Sequence, residues 1–351
     1  MDIQELLGIV FERDASDLHL IAGYPAVLRS GEDLVRLSDN ILSSSDIETA
    51  VFSLLTSEQK ELFLANRELD FSLNYPFARF RVNTYFQQET MAASFRLIPL
   101  RIKTIEELNL PSVCHCFSRL KQGFVLVTGA SSQGKSTTLA AILDEINSTR
   151  AYHIVTIEDP IEYVYPKRRA IISQREMKVD TYSWEVALRS VLREDPNVVL
   201  IGEMRDIETI STALTIAETG HLVFASLHTN SASQTIDRIV DVFPPNQQNQ
   251  VKLQLSLTLE GIICQRLIPS LSGQRLPAFE ILLKTNALQN TIREGKTHLI
   301  DNIIATSAEF GMISFESSLA DLVKRGRISE DEALAFARRP AELLRMLKSG
   351  K

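Results

Sequence analysis

The segment that most restricts what this chain can fold into runs from residue 124 to residue 146. An apolar run at 124–128 leads into a glycine-rich loop of the pattern GxxxxGK[ST], and the loop opens a helical pattern at 137–146. In this order of strand, loop and helix, backbone N–H groups and the positive end of the helix dipole converge on phosphate oxygens. The residues expected around the phosphates are Gly129, Ala130, Ser131, Ser132, Gln133, Gly134, Lys135, Ser136 and Thr137. The segment therefore predicts a nucleotide phosphate site.

Two side chains of this loop have specific tasks in such a site. Lys135 would add a mobile positive charge at the β- and γ-phosphates, and Ser136 would ligate Mg²⁺. The simpler alternative is a glycine turn before a helix, but the full pattern arises by chance in fewer than about one in a hundred chains of this size. We therefore expect ATP and Mg²⁺ as cofactors.

The rest of the chain predicts several domains. Apolar runs at 124–128, 153–157, 198–202 and 222–227, with helical patterns between most of them, indicate an α/β domain with a largely parallel sheet. Before it, runs at 77–86 and 91–98 indicate a hairpin that carries arginines. The predicted organisation is an N-terminal α+β domain at 1–98, a linker at 99–112 that includes a helical pattern at 105–108, an α/β core at 113–270 and a helical part at 271–351.

Composition excludes some classes of function. The formal net charge is −7, and no local basic patch stands out, so the sequence predicts no nucleic-acid partner. The start of the chain lacks a signal-peptide pattern, and no apolar run approaches the roughly 20 residues of a membrane span, so we expect a cytoplasmic protein. The run Cys114-His115-Cys116 lacks the spacing of a closed zinc site, which favours ordinary side chains there.

Carboxylates follow two of the predicted strands. Glu158 and Glu162 come after the run at 153–157, and Glu203 comes after the run at 198–202. In a parallel sheet these positions line the nucleotide crevice, where phosphoryl transfer needs a group that orients water and a ligand for Mg²⁺. The alternative is a carboxylate that complements a helix N-terminus. The residues alone do not choose between Glu158 and Glu162.

Two histidines lie at opposite ends of the predicted strand at 222–227. His228 is at its carboxyl end and is the better candidate to sense the γ-phosphate, whereas His221 could couple this strand to its neighbour. A single histidine is also often a satisfied structural residue, so both interpretations stay open.

Five ordered motifs together resemble one family. The first three are the segment 16–20 with 22–23, the segment 79–83 and the phosphate loop. The fourth is the acidic segment 156–162, and the fifth combines the segment 202–206, which contains Glu203, with the segment 219–229, which contains both histidines. Over nearly its whole length the chain resembles the type IV pilus retraction ATPases, PilT-like or PilU-like, of the type II/IV secretion ATPase superfamily.

The resemblance implies more than the residues alone predict. It implies a PAS-like N-terminal domain, a RecA-like ATPase domain and a homohexamer with ATP between subunits. It assigns Glu162 to the activation of water, Glu203 to Mg²⁺, and Arg81 and Arg96 to the phosphates. The expected partners are an inner-membrane pilus platform protein and a paralogous pilus motor ATPase, which places the chain at the inner membrane through the pilus machine. Arginines on an exposed strand face can also simply pair with surface acids.

The chain departs from the family pattern within the phosphate loop itself. Ala130 replaces a proline, and Ser132 and Gln133 replace Gly-Ser; a serine is costly there if its φ is positive. The segment 287–294 imperfectly resembles one associated with retraction, and a four-cysteine zinc element of extension and secretion ATPases is absent from the sequence. We therefore expect a retraction motor, with an accessory motor that hydrolyses poorly, or a related secretion ATPase, as alternatives.

Overall fold

A computed structural model of the chain describes residues 2–13, 15–31, 33–75, 78–98 and 101–348. The chain divides into two compact units, Met1–Arg101 and Ile102–Lys351. Both units combine helices with a sheet, so the mixed α/β class predicted from the sequence is confirmed. Among the described residues, no helix combines the length and the apolar composition that a membrane span requires.

The described strands of the first unit form one antiparallel sheet in the order β3-β2-β1-β6-β5-β4. The strands are β1 (Asp17–Ile21), β2 (Val27–Ser30), β3 (Asp33–Arg36), β4 (Glu68–Asn74), β5 (Arg79–Gln87) and β6 (Thr90–Ile98). The helices are α1 (Ile3–Glu12), α2 (Ser44–Leu54) and α3 (Ser57–Asn66). Side chains along β5 alternate between the core and the solvent face, as the period of a strand requires.

The predicted hairpin is the β5–β6 pair. Its turn is tighter than expected: Gln88 and Glu89 both have positive φ, at 44° and 62°, which is typical of a two-residue hairpin turn. Phe77, with which the predicted first strand began, lies outside the described residues, as do Pro99 and Leu100 of the predicted linker. The helical pattern expected at 105–108 is wrong, because residues 105–109 form turns and Asn109 adopts a positive φ of 53°.

The described strands of the second unit form a sheet in the order β13-β12-β7-β11-β10-β8-β9, in which only the β12–β13 pair is antiparallel. The strands are β7 (Gly123–Thr128), β8 (His153–Glu158), β9 (Ile171–Glu176), β10 (Val198–Ile201), β11 (Leu222–Leu227), β12 (Leu259–Pro269) and β13 (Arg275–Leu283). The predicted parallel strands are thereby confirmed.

Helices cover both faces of this sheet, which explains why its strands read as continuous apolar runs. They are α4 (Cys114–Arg119), α5 (Lys135–Thr149), α6 (Trp184–Val191), α7 (Ile207–Glu218), α8 (Ala232–Asp241), α9 (Pro245–Thr258), α10 (Asn286–Glu294), α11 (Ile300–Thr306), α12 (Phe315–Lys324), α13 (Glu330–Phe336) and α14 (Pro340–Lys348). Short 3₁₀ turns lie at Thr297–Leu299 and Ala308–Phe310.

The chain after Pro269, expected to be mostly helical, contains the helices α10 to α14 together with one strand that was not predicted. β13 pairs with β12 along its whole length, after a turn in which Gly273 has a φ of 81°. Most of β13 is buried, so its apolar residues follow one another without the alternation that marks a half-exposed strand. The helix expected around 315–323 is present as α12, with Phe315 and Leu319 buried.

Candidate functional site

The phosphate loop lies between β7 and α5, at the carboxyl edge of the parallel strands. Because β7, β8, β10 and β11 run in the same direction, their carboxyl ends meet at this edge. Each of these strands is followed by one part of the predicted site, namely the loop, the acidic segment, Glu203 and His228. The sheet thus gathers groups that are up to about a hundred residues apart in the chain.

Two glycines of the loop have no room for a side chain. Gly129 and Gly134 have φ values of 149° and 82°. A Cβ at Gly129 would lie 2.4 Å from the carbonyl oxygen of Gln265, and one at Gly134 would lie 2.7 Å from Nε2 of Gln265. The glycines therefore let the loop pack directly onto β12, and Gly134 becomes the N-terminal cap of α5.

Ser132, one of the departures from the family pattern, adopts a φ of 61°. A non-glycine residue pays about 1 to 2 kcal/mol in this left-handed region, because its Cβ approaches the following backbone. The strain is borne at the exposed tip of the loop.

Gln133, the other departure at the tip, braces the loop against β12. Its side-chain Oε1 accepts the N–H of Leu267 at 2.6 Å, and its own carbonyl accepts Nε2 of Gln265 at 2.8 Å. β7 ends at Thr128, opposite Cys264, so β12 has no strand partner on that side at Leu267. Gln133 supplies the acceptor that the missing strand would have supplied.

Gln265 is the site residue that the sequence analysis missed. Its buried amide donates to the carbonyl of Gln133 and accepts from Oγ1 of Thr138 at 2.6 Å, so it joins the loop to the first turn of α5. The signal in the sequence is weak: a polar residue within the apolar run of β12, 132 residues from Gln133.

Lys135 is buried beneath the loop. Its Nζ lies 2.9 Å from the carbonyl oxygens of Gly129 and Ala130 and 3.4 Å from Nδ1 of His228. Burial lowers the pKa of Lys135, and the nearby carboxylates Glu203 and Glu162 partly oppose that shift. A lysine held by two carbonyls and attracted by two carboxylates is placed to exchange these partners for phosphate oxygens.

Glu203 and His228 lie side by side at the ends of β10 and β11. Oε1 of Glu203 is 3.0 Å from Nε2 of His228, and Oε2 accepts from Nη2 of Arg205 at 2.8 Å. Partial burial acts to raise the pKa of Glu203, but Arg205, His228 and Lys135 together lower it. Glu203 is thus held as a carboxylate, the form that ligates a divalent cation.

The structure separates the two carboxylates between which the residues alone did not choose. Glu158 is buried and accepts from Oγ1 of Thr156 at 2.7 Å and from Nε2 of Gln174 at 3.3 Å, and its burial raises its pKa to about 7. Glu162 is exposed, and its backbone N–H lies 3.5 Å from Glu158. Glu158 therefore holds the acidic segment 156–162 in place through hydrogen bonds, while the side chain of Glu162 is accessible to a ligand.

The remaining predicted residues of the second unit lie at the start of α5 and before β11. Ser136 is partly buried in the first turn of α5, and Oγ1 of Thr137 lies 2.8 Å from the hydroxyl of Tyr163. His221 precedes β11, at the opposite end from His228, and its Nδ1 is 3.1 Å from the carbonyl oxygen of Ile216. The structure does not bring His221 to the loop.

Arg81 and Arg96 belong to the first unit. They face each other on β5 and β6, on the solvent side of the sheet. Nε of Arg96 donates to Asp17 on β1 at 2.8 Å, although 66% of the arginine side chain is exposed. The acid that Arg96 pairs with is buried, so this contact differs from the pairing with a surface acid that was the alternative for these arginines.

The loop and its neighbours fit a magnesium nucleotide. The first N–H groups of a helix lack intrahelical partners, and those of α5 open toward the loop beneath which Lys135 lies. Within the described residues, no group of three or more His, Cys, Asp or Glu side chains is arranged to hold a metal ion. A magnesium ion bound with phosphates needs fewer protein ligands than that, because phosphate oxygens and water complete its shell.

A parallel sheet with a phosphate loop after one strand, and with an acid and a histidine after two neighbouring strands, defines a P-loop nucleotide-binding protein. A family described as Type II/IV secretion system protein matches residues 71–332, and the chain belongs to this family.

Two curated relatives and one solved structure show how far the similarity extends. The chain is 45% identical to the type IV pilus retraction ATPase PilT of Pseudomonas aeruginosa, over 97% of this chain and 99% of the relative. It is 37% identical to the type IV pilus ATPase PilU of the same organism, over 100% of this chain and 92% of the relative. A crystal structure of the pilus retraction motor PilT with bound ADP superposes with a TM-score of 0.91 at 42% identity, covering 98% of this chain and 99% of the other.

Proposed function

We propose that this chain is an ATP-hydrolysing motor subunit that drives retraction of type IV pili and thereby twitching motility. The observation that carries the proposal is the convergence of Lys135, Glu203 and His228 on one phosphate loop, with separations of 3.0 to 3.4 Å between neighbouring polar atoms. The similarity to PilT along nearly the whole chain supports the choice of this motor within the family.

The residues of the second unit divide the work of phosphoryl transfer. Bound ATP supplies the phosphoanhydride whose cleavage releases free energy. The loop at 129–137 holds the phosphates through backbone N–H groups and Lys135, while Ser136 and Glu203 would hold Mg²⁺. Glu162, exposed beside the buried Glu158, orients the attacking water and accepts its proton. His228 lies between Glu203 and Lys135, where it can respond to the charge of the γ-phosphate.

Arg81 and Arg96 complete the proposed mechanism. A guanidinium stays charged and can meet phosphate oxygens through two parallel donors, which suits the neutralisation of charge that develops in the transition state. Arg96 would exchange its bond with Asp17 for one with phosphate.

The proposed assembly is a homohexamer that acts on an inner-membrane pilus platform protein, alongside a paralogous pilus motor ATPase, and needs no nucleic acid. In this proposal, the N-terminal domain at 1–98 is PAS-like and the ATPase core at 113–270 is RecA-like, with the linker 99–112 between them and the C-terminal part at 271–351. The protein is proposed to work on the cytoplasmic side of the inner membrane through this machine.

A deletion strain of the bacterium that carries the chain tests this function. The wild-type gene should restore pilus retraction, and a gene with Glu162→Ala should restore protein but not retraction, because water is no longer activated. A matched control is Glu61→Ala, which removes an exposed glutamate of α3. Retraction driven by the Glu162→Ala protein would remove Glu162 from its assigned role.

The second candidate is an accessory motor that binds nucleotide and hydrolyses it slowly. The positive φ of Ser132 favours it, since strain in the phosphate loop lowers the stability of the conformation that binds phosphate. The 37% identity to PilU supports the same candidate. A purified chain that binds ATP but turns it over only in the presence of a second pilus motor ATPase would favour it over the first.

A further inference from the structure

The loop that follows His228 meets the C-terminal helices at a polar cavity of about 410 Å³. Asn230, Ser231 and Gln234 line one side, and Glu316, Arg338 and Arg339 line another. All of these residues belong to the second unit. The sequence analysis assigned no role to this part of the chain.

The guanidinium of Arg338 connects the C-terminal helices to the loop that follows His228. Nη1 donates to Oε2 of Glu280 at 2.6 Å, and Nη2 donates to the carbonyl oxygen of Asn230. The other carboxylate oxygen of Glu280 accepts the N–H of Ala232 at 2.7 Å, at the N-terminus of α8. A single arginine–glutamate pair therefore holds both the short segment after His228, at Asn230, and the first residue of α8.

The C-terminal helices hold Arg338 in turn. Oε1 of Glu316, on α12, accepts the backbone N–H groups of Arg338 and Arg339 at 3.1 and 2.9 Å. The guanidinium of Arg338 also lies over the ring of Phe315, at 4.7 Å from its centroid. Phe315 is buried in the core that α12, α13 and α14 share, so these helices determine the orientation of the Arg338 guanidinium.

The contact bears on the nucleotide site because Asn230 is only two residues from His228. Nε2 of His228 lies 3.0 Å from Glu203, and Nδ1 lies 3.4 Å from Nζ of Lys135. Because a single residue separates Asn230 from His228, a shift in the carbonyl of Asn230 would displace His228 relative to Glu203 and Lys135. A misplacement of about 1 Å in a group of this kind can lower a rate by as much as 10²-fold.

We propose that Arg338 is a positioning residue that sets the place of His228 by holding the carbonyl of Asn230. The inference rests on the proposed ATP hydrolysis, and it assigns to the C-terminal helices a part in turnover rather than in stability alone.

Arg338→Lys tests this role while keeping the charge that Glu280 needs. A lysine can pair with the carboxylate, but it lacks the fork that reaches Asn230 at the same time. In the purified full-length chain, kcat should fall about tenfold with KM for ATP within about twofold, because Lys135 and the loop are untouched. The control is Arg325→Gln, an exposed arginine that ends α12 and pairs with Asp321; its kcat should stay at the wild-type value.

Wild-type kcat in Arg338→Lys would overturn the inference, and so would an equal loss of kcat in the control. If Arg338→Lys does not fold, the double variant with Glu280→Gln and Arg338→Gln, which removes both charges of the pair together, takes its place with the same expectations. A wild-type chain without ATP hydrolysis would defeat the proposed function instead. The inference is then tested by the ratio of the ADP and ATP dissociation constants, which should move toward one in Arg338→Lys; an unchanged ratio would overturn it.

Discussion

In the second unit, Lys135 is buried with three polar neighbours within 3.4 Å, whereas in the first unit the side chain of Arg96 is 66% exposed and bonded at Nε to Asp17. The groups proposed to hold a nucleotide are thus fixed by burial and hydrogen bonds within the second unit. The arginines assigned to the transition state lie instead on an exposed sheet face, where a ligand can reach them, although Arg96 would have to leave the buried carboxylate of Asp17. In the proposed mechanism, binding and turnover would therefore depend on differently built regions.

The largest expected effect concerns the arginines. Arg81→Ala and Arg96→Ala should each lower kcat about 10³-fold, the size of the effect of an arginine that stabilises phosphoryl transfer. The ADP dissociation constant should stay within about threefold, because ADP lacks the group that these arginines would contact. Steady-state kinetics and calorimetric titration of ADP measure the two quantities.

Arg36→Ala, an exposed arginine on the edge strand β3, is the matched control and should behave like the wild type. If ADP affinity and kcat both fall in the arginine variants, the first unit also contributes to nucleotide binding. That result would contradict the proposed division between the two units.

The next effect concerns Glu158. Its pKa is about 7 in the folded chain against an ordinary 4.5, mainly because of burial. Below about pH 4.5 the group is protonated in both states and contributes nothing; as the pH rises toward 7 the unfolded chain releases this proton first, so stability falls. Above pH 7 the penalty reaches about 3 kcal/mol. Glu158→Gln should remove it, so the free energy of unfolding should decline less between pH 5 and pH 8.

Urea unfolding at pH 5, 6, 7 and 8 measures this difference, with Glu162→Gln as the control on the exposed carboxylate of the same segment. Equal pH slopes in the wild type and Glu158→Gln would mean that burial does not raise the pKa of Glu158 in the folded chain.

A smaller effect is expected from the brace under the loop. Gln133→Ser removes the acceptor of the Leu267 N–H, and a lost hydrogen bond of this kind costs about 1 kcal/mol, or about fivefold in ADP affinity. Gln274→Ser, in the exposed β12–β13 turn, should leave affinity unchanged. If Gln133→Ser bound ADP as tightly as the wild type, the brace would be a packing contact without a role in binding.

The smallest effect concerns the tip of the loop. Ser132→Gly should relieve the positive φ and raise the free energy of unfolding by about 0.5 to 1 kcal/mol, after the greater entropy of glycine in the unfolded chain is subtracted. Ser131→Gly, at a position without positive φ, should lower it instead. The same sign for both variants in thermal unfolding would show that Ser132 carries no backbone strain.

These residues also show what the sequence could predict and what it could not. The loop and α5 follow from the pattern of Gly129 to Ser136, and the strands β7, β8, β10 and β11 follow from apolar runs, because both signals are local. Gln265 could not be found because its contacts join segments 132 residues apart. Glu158 and Glu162 have the same chemistry, and only tertiary burial distinguishes them. β13 was not predicted, because burial on both faces removes the alternation that identifies a strand.

The most direct test of the account is ATP hydrolysis by the purified full-length chain and by Lys135→Ala. The account predicts measurable magnesium-dependent release of phosphate by the wild type, and a loss of at least about 10²-fold in the variant, because the charge at the β- and γ-phosphates is gone. Both proteins should unfold at similar temperatures without nucleotide. Equal phosphate release by the two proteins would contradict the claim that this loop is where the chain hydrolyses ATP.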